Sequence, residues 1–205
     1  RHNNNSIREY IRNFIMSKLE TNTIDNISGS STLTIGDSNT STITLKSGAT
    51  LTNFPANTPA FQARLSANQY GVANNTATKI NFNTELFDTA NAYDNSSNYR
   101  FTPQTAGKYL IYSTQRIITT NNGQLRSAVL YLYKNGSAVT GDSSNFNMND
   151  EGVRAITPAL TSIVDMNGSS DYVEIFGLHF SIDSATTSSG FHSNASIFGA
   201  YKIIE

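Results

Sequence analysis

The sequence FTPQTAGKYLIY, residues Phe101–Tyr112, decides the fold class of this 205-residue chain. From Lys108 to Ile117 apolar residues alternate with polar ones, which is typical of a strand with one buried face. Two turn-forming residues stand before this run. Pro103 fixes φ and donates no ladder hydrogen bond, and Gly107 permits conformations that a β-carbon resists. The stretch therefore predicts a turn that leads into a half-buried strand.

Runs of the same character continue from Phe61 to the end of the chain. We predict strands near residues 61–68, 78–82, 99–102, 107–118, 126–134, 137–140, 154–165, 171–181 and 191–203. The pair Asn135-Gly136 is a strong hairpin signal, because both central residues of a type I′ turn require a positive φ. About nine or ten strands with short turns and no helices between them predict an antiparallel β-sandwich.

Composition excludes several classes of protein. The 14 basic and 15 acidic residues give a formal net charge of −1, which argues against a nucleic-acid partner because such proteins carry a basic face. Cysteine is absent, so disulfides, thiolate catalysis and cysteine metal sites are excluded. No window reaches the roughly 18 apolar residues of a transmembrane helix, and no secretory signal is visible. We expect no membrane insertion.

Residues 1–20 form the one predicted helix. Ser6 and Glu9 have the spacing of a capping box at its start. The apolar stripe with the 3.6-residue period consists of Ile7, Ile11, Phe14, Ile15 and Leu19. So short a helix is marginal alone, so we expect it to pack against copies of itself or to anchor the chain on another protein. A helix lying on a membrane surface is the alternative.

Residues 21–60 predict a β stem rich in Thr, Ser and Gly. Two similar units, 31–37 and 40–48, each show a Thr-rich alternation closed by Gly. The apolar side chains of this region are Leu33, Ile35, Ile43, Leu45 and Leu51. They are too few for a core of their own, so we expect them to pack against the same residues of neighbouring chains in an intertwined shaft. A hairpin that lies on the main domain is the alternative.

Residues 61–205 are identified as a head that resembles the globular domain of complement C1q and its relatives, a domain close in fold to tumour necrosis factor. The matching segments are KINFNT (79–84), YD (93–94), YRFTP (99–103), AGKYLIY (106–112), LYLYKNG (130–136) and SIFGAY (196–201). The resemblance implies a jelly roll that assembles as a homotrimer about a three-fold axis. No collagen stalk precedes the head, and residues 28–54 instead resemble the stems of bacteriophage fibre proteins.

Aromatic residues are more numerous than one face of one sheet usually buries. They are Tyr109, Tyr112, Tyr131, Tyr133, Phe176, Phe180 and Phe198. Aromatic side chains are typical of interface cores, so we expect some of this group to form an apolar seam between subunits. The alternative for any one of them is the ordinary core of the sandwich.

The sequence offers no catalytic constellation. A glycosidase needs two carboxylates that face one sugar bond. The candidates are Glu85, Asp88, Asp142, Asp150, Glu151, Asp165, Asp171, Glu174 and Asp183. Most stand beside turn residues, where Asp typically stabilises a loop. His179 is expected to be a hydrogen-bonded strand histidine rather than a base, and His192 has no metal-ligand spacing around it. We therefore expect no enzymatic activity.

A calcium site is implied by the resemblance, since members of that family often hold Ca²⁺ near the trimer apex. Asp142, Asp150 and Glu151 lie in a polar stretch that supplies suitable oxygen ligands, although the EF-hand pattern is absent. Solvated loop acids are the alternative.

These features together predict a homotrimeric virion fibre or spike. The helix docks on the particle, the stem intertwines, and the head attaches to a host receptor or glycan or caps the fibre. Loops at the far end of the head are expected to carry recognition. Two other functions stay open: a capsid or neck decoration protein without a receptor, and a secreted cellular C1q-like binding protein.

Overall fold

The structure is a computed structural model that describes Ser47 and residues 57–147 and 152–203, and of residues 140–146 the backbone alone. The chain divides between Thr52 and Asn53 into two units, and residues 57–203 belong to the second. The predicted helix lies outside the described residues, and so does the predicted stem apart from Ser47 and residues 57–60. The packing positions assigned to the helix and the stem also lie outside the described residues: Ile7, Ile11, Phe14, Ile15, Leu19, Leu33, Ile35, Ile43, Leu45 and Leu51.

The described residues form thirteen strands. In chain order they are β1 (Ala60–Arg64), β2 (Gln69–Tyr70), β3 (Thr78–Lys79), β4 (Thr84–Asp88), β5 (Tyr93–Asp94), β6 (Arg100–Phe101), β7 (Gly107–Ile118), β8 (Leu125–Lys134), β9 (Ser137–Asn147), β10 (Ala155–Ile156), β11 (Ala159–Met166), β12 (Val173–Ser181) and β13 (Gly190–Lys202). No helix long and apolar enough to cross a membrane occurs in this part of the chain.

The strands form two antiparallel sheets. Sheet A has the order β10-β7-β13-β1-β4, with β11 also on β7 and β2 also on β13. Sheet B has the order β5-β6-β12-β8-β9, with β3 also on β12. The chain passes repeatedly from one sheet to the other, from β6 to β7 to β8, and from β11 to β12 to β13. This connectivity is that of a jelly roll and confirms the predicted two-sheet antiparallel sandwich.

The core lies between the sheets, because each strand turns alternate residues inward. In β11, Leu160 and Val164 are buried while their neighbours are exposed. Phe61 is at the centre of the aromatic part of the core. Its ring stacks on Phe101 at 4.6 Å between centroids and meets the edge of Phe198 at 4.9 Å. Such pairs stabilise a fold by about 0.5–1.5 kcal/mol each beyond the burial of their area.

Three details of the predicted strands are wrong. The predicted strand 154–165 is divided into β10 and β11, because Pro158 between them has no N–H to donate. Strand β4 was not predicted, since its residues Leu86 and Phe87 are both exposed and do not alternate. Strand β9 continues to Asn147, well beyond the predicted strand 137–140. Backbone pairing with β8 holds it, with Leu130 opposite Ser144.

One end of the sandwich holds the start of β1 and the end of β13. There the Thr89 N–H donates to the Ala60 carbonyl, and the Lys202 N–H donates to the Pro59 carbonyl. The β8–β9 turn at Asn135-Gly136 lies at this end too. The end of β11 and the end of β13 both pair with the start of β7, and β12, which follows β11, begins opposite the end of β8. We call this end of the sandwich the Ala60 end.

Candidate interaction surfaces

The outer face of sheet A carries a group of apolar side chains. Tyr112 lies opposite Gly199 and Thr161 in the ladder, and Leu110 lies opposite Tyr201 and Ile163, so these side chains share one face. Ile163 is 58% exposed and Tyr201 is 36% exposed. We call Leu110, Tyr112, Ile163 and Tyr201 the sheet A patch.

Charged residues mark the two ends of this patch. Lys108 and Asp165 lie opposite each other on the same face, with Nζ and Oδ1 3.7 Å apart. Toward the other end of β7, Arg116 is the next residue after Thr114 on this face, and it is exposed. The four side chains of the patch are uncharged. An apolar centre between charged margins is the usual composition of a protein–protein interface.

Tyr112 lies flat across its neighbour β13. A β-carbon at Gly199 would collide with the tyrosine ring, so only glycine permits this position. The amide Nε2 of Gln62, on the strand beyond, donates to the Tyr112 hydroxyl at 3.1 Å. Partial burial raises the pKa of Tyr112, so the phenol stays neutral at physiological pH.

A second aromatic group lies on the outer face of sheet B. Tyr133 stacks on Phe176 with ring centroids 4.1 Å apart, and Tyr131 meets the edge of Tyr133 at 6.5 Å. Lys79 lies beside this group, with Nζ 5.8 Å from the centre of the Phe176 ring, and it also pairs with the buried Glu174. The stack is therefore half-buried and partly covered by a lysine.

The predicted aromatic seam is thus distributed over three places. Tyr109 and Phe198 are fully buried in the core of the sandwich. Tyr112 lies on the outer face of sheet A. The remaining four lie on the outer face of sheet B: Tyr131, Tyr133, Phe176 and Phe180, the last 40% exposed. Three other members of the sheet A patch, Leu110, Ile163 and Tyr201, were not predicted. Strand register brings them together, and register is not readable from the sequence.

His179 differs from its expected role. It was predicted to be a hydrogen-bonded histidine, yet its side chain is fully buried, and among the described residues neither ring nitrogen has a hydrogen-bond partner. Burial lowers the pKa of His179, because the charged imidazolium is unfavourable in the core. The side-chain oxygen of Gln115, also buried, has no partner in the described part of the chain either.

Several candidate carboxylates stabilise loops. Asp88 accepts hydrogen bonds from the N–H groups of Ala90 and Tyr93. The side-chain hydrogen bond from Asn135 is the largest of several contacts that lower the pKa of Asp171. Asp183 has a lowered pKa chiefly through the hydroxyl of Ser181, 2.5 Å away. These oxygens already have partners within the fold.

The residues predicted to bind calcium are not brought together by the described structure. Asp142 lies on strand β9 rather than in a loop, because that stretch pairs with β8. Asp150 and Glu151 lie outside the described residues. Among the residues that are described, no group of three or more His, Asp or Glu side chains has the arrangement of a metal site.

A polar cavity of about 420 Å³ opens at the Ala60 end, at the edge of sheet B. Its lining includes Asn91, Asp94, Asn98, Arg100, Thr102 and Gln104. We call it the Arg100 pocket. No sequence pattern indicates this pocket, because its residues come from the β4–β5 connection, from β5 and β6 with the turn between them, and from the segment after β6.

Asp94 organises one wall of this pocket. Its carboxylate accepts hydrogen bonds from the N–H groups of Ser96, Ser97 and Asn98, from the Ser96 hydroxyl and from the Asn98 amide, at 2.8 to 3.1 Å. The bond from the Ser97 N–H is the largest contribution that keeps the pKa of Asp94 far below its usual value. Asp94 therefore stays ionised and holds the β5–β6 turn in one conformation.

Arg100 lies directly opposite Asp94 in the β5–β6 ladder. Its guanidinium does not form an ion pair with that carboxylate but lies over the Tyr172 ring, 4.3 Å from the ring centre. Tyr172 is held in turn by the β8–β9 turn, since its N–H donates to the Asn135 side chain at 3.0 Å and its carbonyl accepts from the Asn135 N–H at 3.1 Å.

Comparisons with known proteins give structural similarity alone. No family model matches the chain, and no curated protein matches it. Among solved structures, murine APRIL at pH 5.0 is similar at 9% identity with a TM-score of 0.48, over 70% of this chain and 98% of that one. The Eiger TNF of S. frugiperda is similar at 9% identity with a TM-score of 0.47, over 71% of this chain and 91% of that one.

Proposed function

We propose that this chain is a homotrimeric fibre or spike of a bacteriophage virion, and that its jelly-roll head attaches the particle to a host surface. The observation that supports the proposed trimer is the sheet A patch. It is apolar, it includes an isoleucine that is 58% exposed, and charges lie at both of its ends. Two further copies of the same patch, placed around a three-fold axis, are a suitable cover for it, because equivalent surfaces of the subunits meet at a symmetry axis.

The assignment to a phage appendage rests on the first 60 residues. Residues 28–54 resemble fibre stems, and the apolar stripe of residues 1–20 has the pattern of an anchoring helix. A trimeric head would hold three stems in parallel and so favour their intertwining. In this proposal the helix binds another virion protein and the chain lies on the particle surface.

We also propose that the head acts by binding rather than by catalysis. Asp88, Asp171 and Asp183 are engaged by hydrogen bonds that stabilise loops, which leaves them poorly placed to act as acids or bases. Three identical sites on one trimer would gain avidity on a repetitive host surface.

A decoration protein of the capsid or neck is the second candidate, since a trimer patch and an anchor serve that role equally well. Two measurements separate the candidates. The first is the binding of the fluorescently labelled full-length chain to cells of the phage host, and saturable binding supports attachment. The second is the stability of particles in which the chain lacks residues 1–60. Absence of cell binding together with unstable particles would replace attachment by decoration.

Location on the particle is tested separately. Mass spectrometry of purified phage particles is expected to detect the chain in a number of copies divisible by three. Its absence from the particles would contradict a virion role and favour the secreted C1q-like alternative.

A further inference from the structure

We propose that the Arg100 pocket binds a carboxylate-bearing sugar, such as a uronic acid residue of a host glycan. This inference names the ligand class for the attachment role and rests on that proposed function for its biological meaning. The binding itself is a property of the head that can be measured on its own.

The guanidinium of Arg100 is available for an anion. The cross-strand carboxylate of Asp94 is the natural partner of Arg100, but its oxygens accept five hydrogen bonds from the β5–β6 turn. Within the described residues the Tyr172 ring is the partner of the guanidinium. A guanidinium stacked on an aromatic ring keeps its N–H donors at the edge, in the plane where a carboxylate binds in two-point fashion.

The position of Arg100 is fixed before any ligand arrives. Tyr172 is hydrogen-bonded to Asn135, and Asn135 also donates to Asp171 at 2.8 Å. Asn135 and Gly136 have φ values of 52° and 79°, as the type I′ turn requires. The tight turn thus holds the backbone of Tyr172, and the Tyr172 ring lies against the guanidinium. A ligand group that is positioned in advance binds with a smaller loss of conformational entropy.

The rest of the pocket is suited to sugar hydroxyls. Asn91 and Thr102 carry an amide and a hydroxyl, which can both donate and accept hydrogen bonds. Arg100 is a donor alone and selects the negative group. A volume of about 420 Å³ lies within the range of small-molecule sites. Asp94 in the lining is charged too, but its carboxylate is engaged by five hydrogen bonds from its own turn. Arg100 is therefore the charged group left to pair with a sugar that carries one carboxylate.

The pocket is also compatible with the proposed trimer. It lies at the edge of sheet B, whereas the sheet A patch lies on the outer face of the other sheet. It is found at the Ala60 end, where the described head begins, rather than among the far loops in which recognition was expected.

The test measures binding of D-glucuronate and of D-glucose to the full-length chain by saturation-transfer NMR. The two probes have the same ring, and glucose has a neutral hydroxymethyl group in place of the carboxylate. We expect millimolar binding of glucuronate and weaker binding of glucose. Arg100→Gln is expected to weaken glucuronate about tenfold to a hundredfold, the usual effect of losing charged hydrogen bonds. Equal binding of the two sugars, or no effect of Arg100→Gln, would overturn the proposal.

Three controls separate the remaining explanations. Arg64→Gln removes an exposed arginine of β1 outside the pocket and is expected to leave binding unchanged. Thr102→Val removes a pocket hydroxyl without changing side-chain shape, and provides an independent test if Arg100→Gln does not fold. N-acetylglycine offers one carboxylate without a sugar ring, and binding as strong as that of glucuronate would overturn the sugar specificity. Glucuronate binding by a chain that is absent from virions would refute the virion role while leaving this inference intact.

Discussion

The ring of Tyr112 occupies the space that a side chain at position 199 would need. The ring of Tyr112, the aromatic residue at the centre of the sheet A patch, therefore packs directly on the backbone of Gly199. Its hydroxyl extends beyond Gly199 to Gln62. The patch is consequently flat, with Leu110, Ile163 and Tyr201 beside it on the same face. A flat apolar face on a rigid sheet is suited to contact with another copy.

Substitution Gly199→Ala is expected to lower the free energy of unfolding by about 1–3 kcal/mol, because the added methyl group forces the Tyr112 ring out of its position. Urea denaturation measures the change. The matched control is the double variant Gly199→Ala with Tyr112→Ala, in which the obstructing ring is gone. An equal cost of Gly199→Ala with and without the ring would show that the contact does not matter.

Much of this fold is predictable from alternation and turn residues. Strand β7 runs from Gly107 to Ile118, as the run after Pro103 indicates, and Asn135-Gly136 forms the expected turn with positive φ at both residues. Such signals are local, so a single segment contains them. Strands β4 and β9 were misjudged because the long-range ladder, and not their own pattern, holds them.

The candidate surfaces were harder to predict. The alternating pattern predicts that Tyr112 lies in a strand. It does not indicate whether the Tyr112 side chain lies on the core face or on the outer face of the sheet. The Arg100 pocket depends on two events remote in sequence, the engagement of Asp94 by its own turn and the stacking of Arg100 on Tyr172. Neither has a pattern that sequence spacing reveals.

Substitution Asn135→Ala is expected to cost about 1–2 kcal/mol of stability, since it removes hydrogen bonds to Asp171 and Tyr172 and a residue suited to positive φ. Thermal unfolding measures it. Because Tyr172 supports Arg100, glucuronate binding is expected to weaken as well. Asn194→Ala, at an exposed site, is the control and is expected to change neither quantity. A loss of stability as small as that of the control would contradict the role of the turn.

The buried His179 is expected to make the stability of the protein depend on pH. The folded protein lowers the pKa of His179 below 6.5, so the unfolded state binds a proton first as pH falls. The free energy of unfolding is therefore not reduced by His179 above about pH 6.5, and it declines as the pH falls from there toward the pKa of His179 in the folded state. Urea denaturation at intervals from pH 7.5 to 5 measures the decline.

The variant His179→Leu isolates this effect, because leucine does not titrate. Its stability is expected to be nearly constant over that pH range. His192→Gln, at a partly exposed position, is expected to keep the decline of the parent protein. Equal slopes in the parent and in His179→Leu would show that other groups cause the pH dependence.

The central claim is that the head assembles through the sheet A patch, and the mass of the chain in solution tests it most directly. Light scattering is expected to give three times the chain mass of 22.3 kDa for the parent protein. Ile163→Lys places a charge in the patch, while Ile182→Lys places one at an isoleucine of similar exposure, 52% against 58%, in the loop after β12. We predict that the first variant dissociates and the second stays trimeric. A parent protein of single-chain mass, or a trimer that Ile163→Lys leaves intact, would contradict the account.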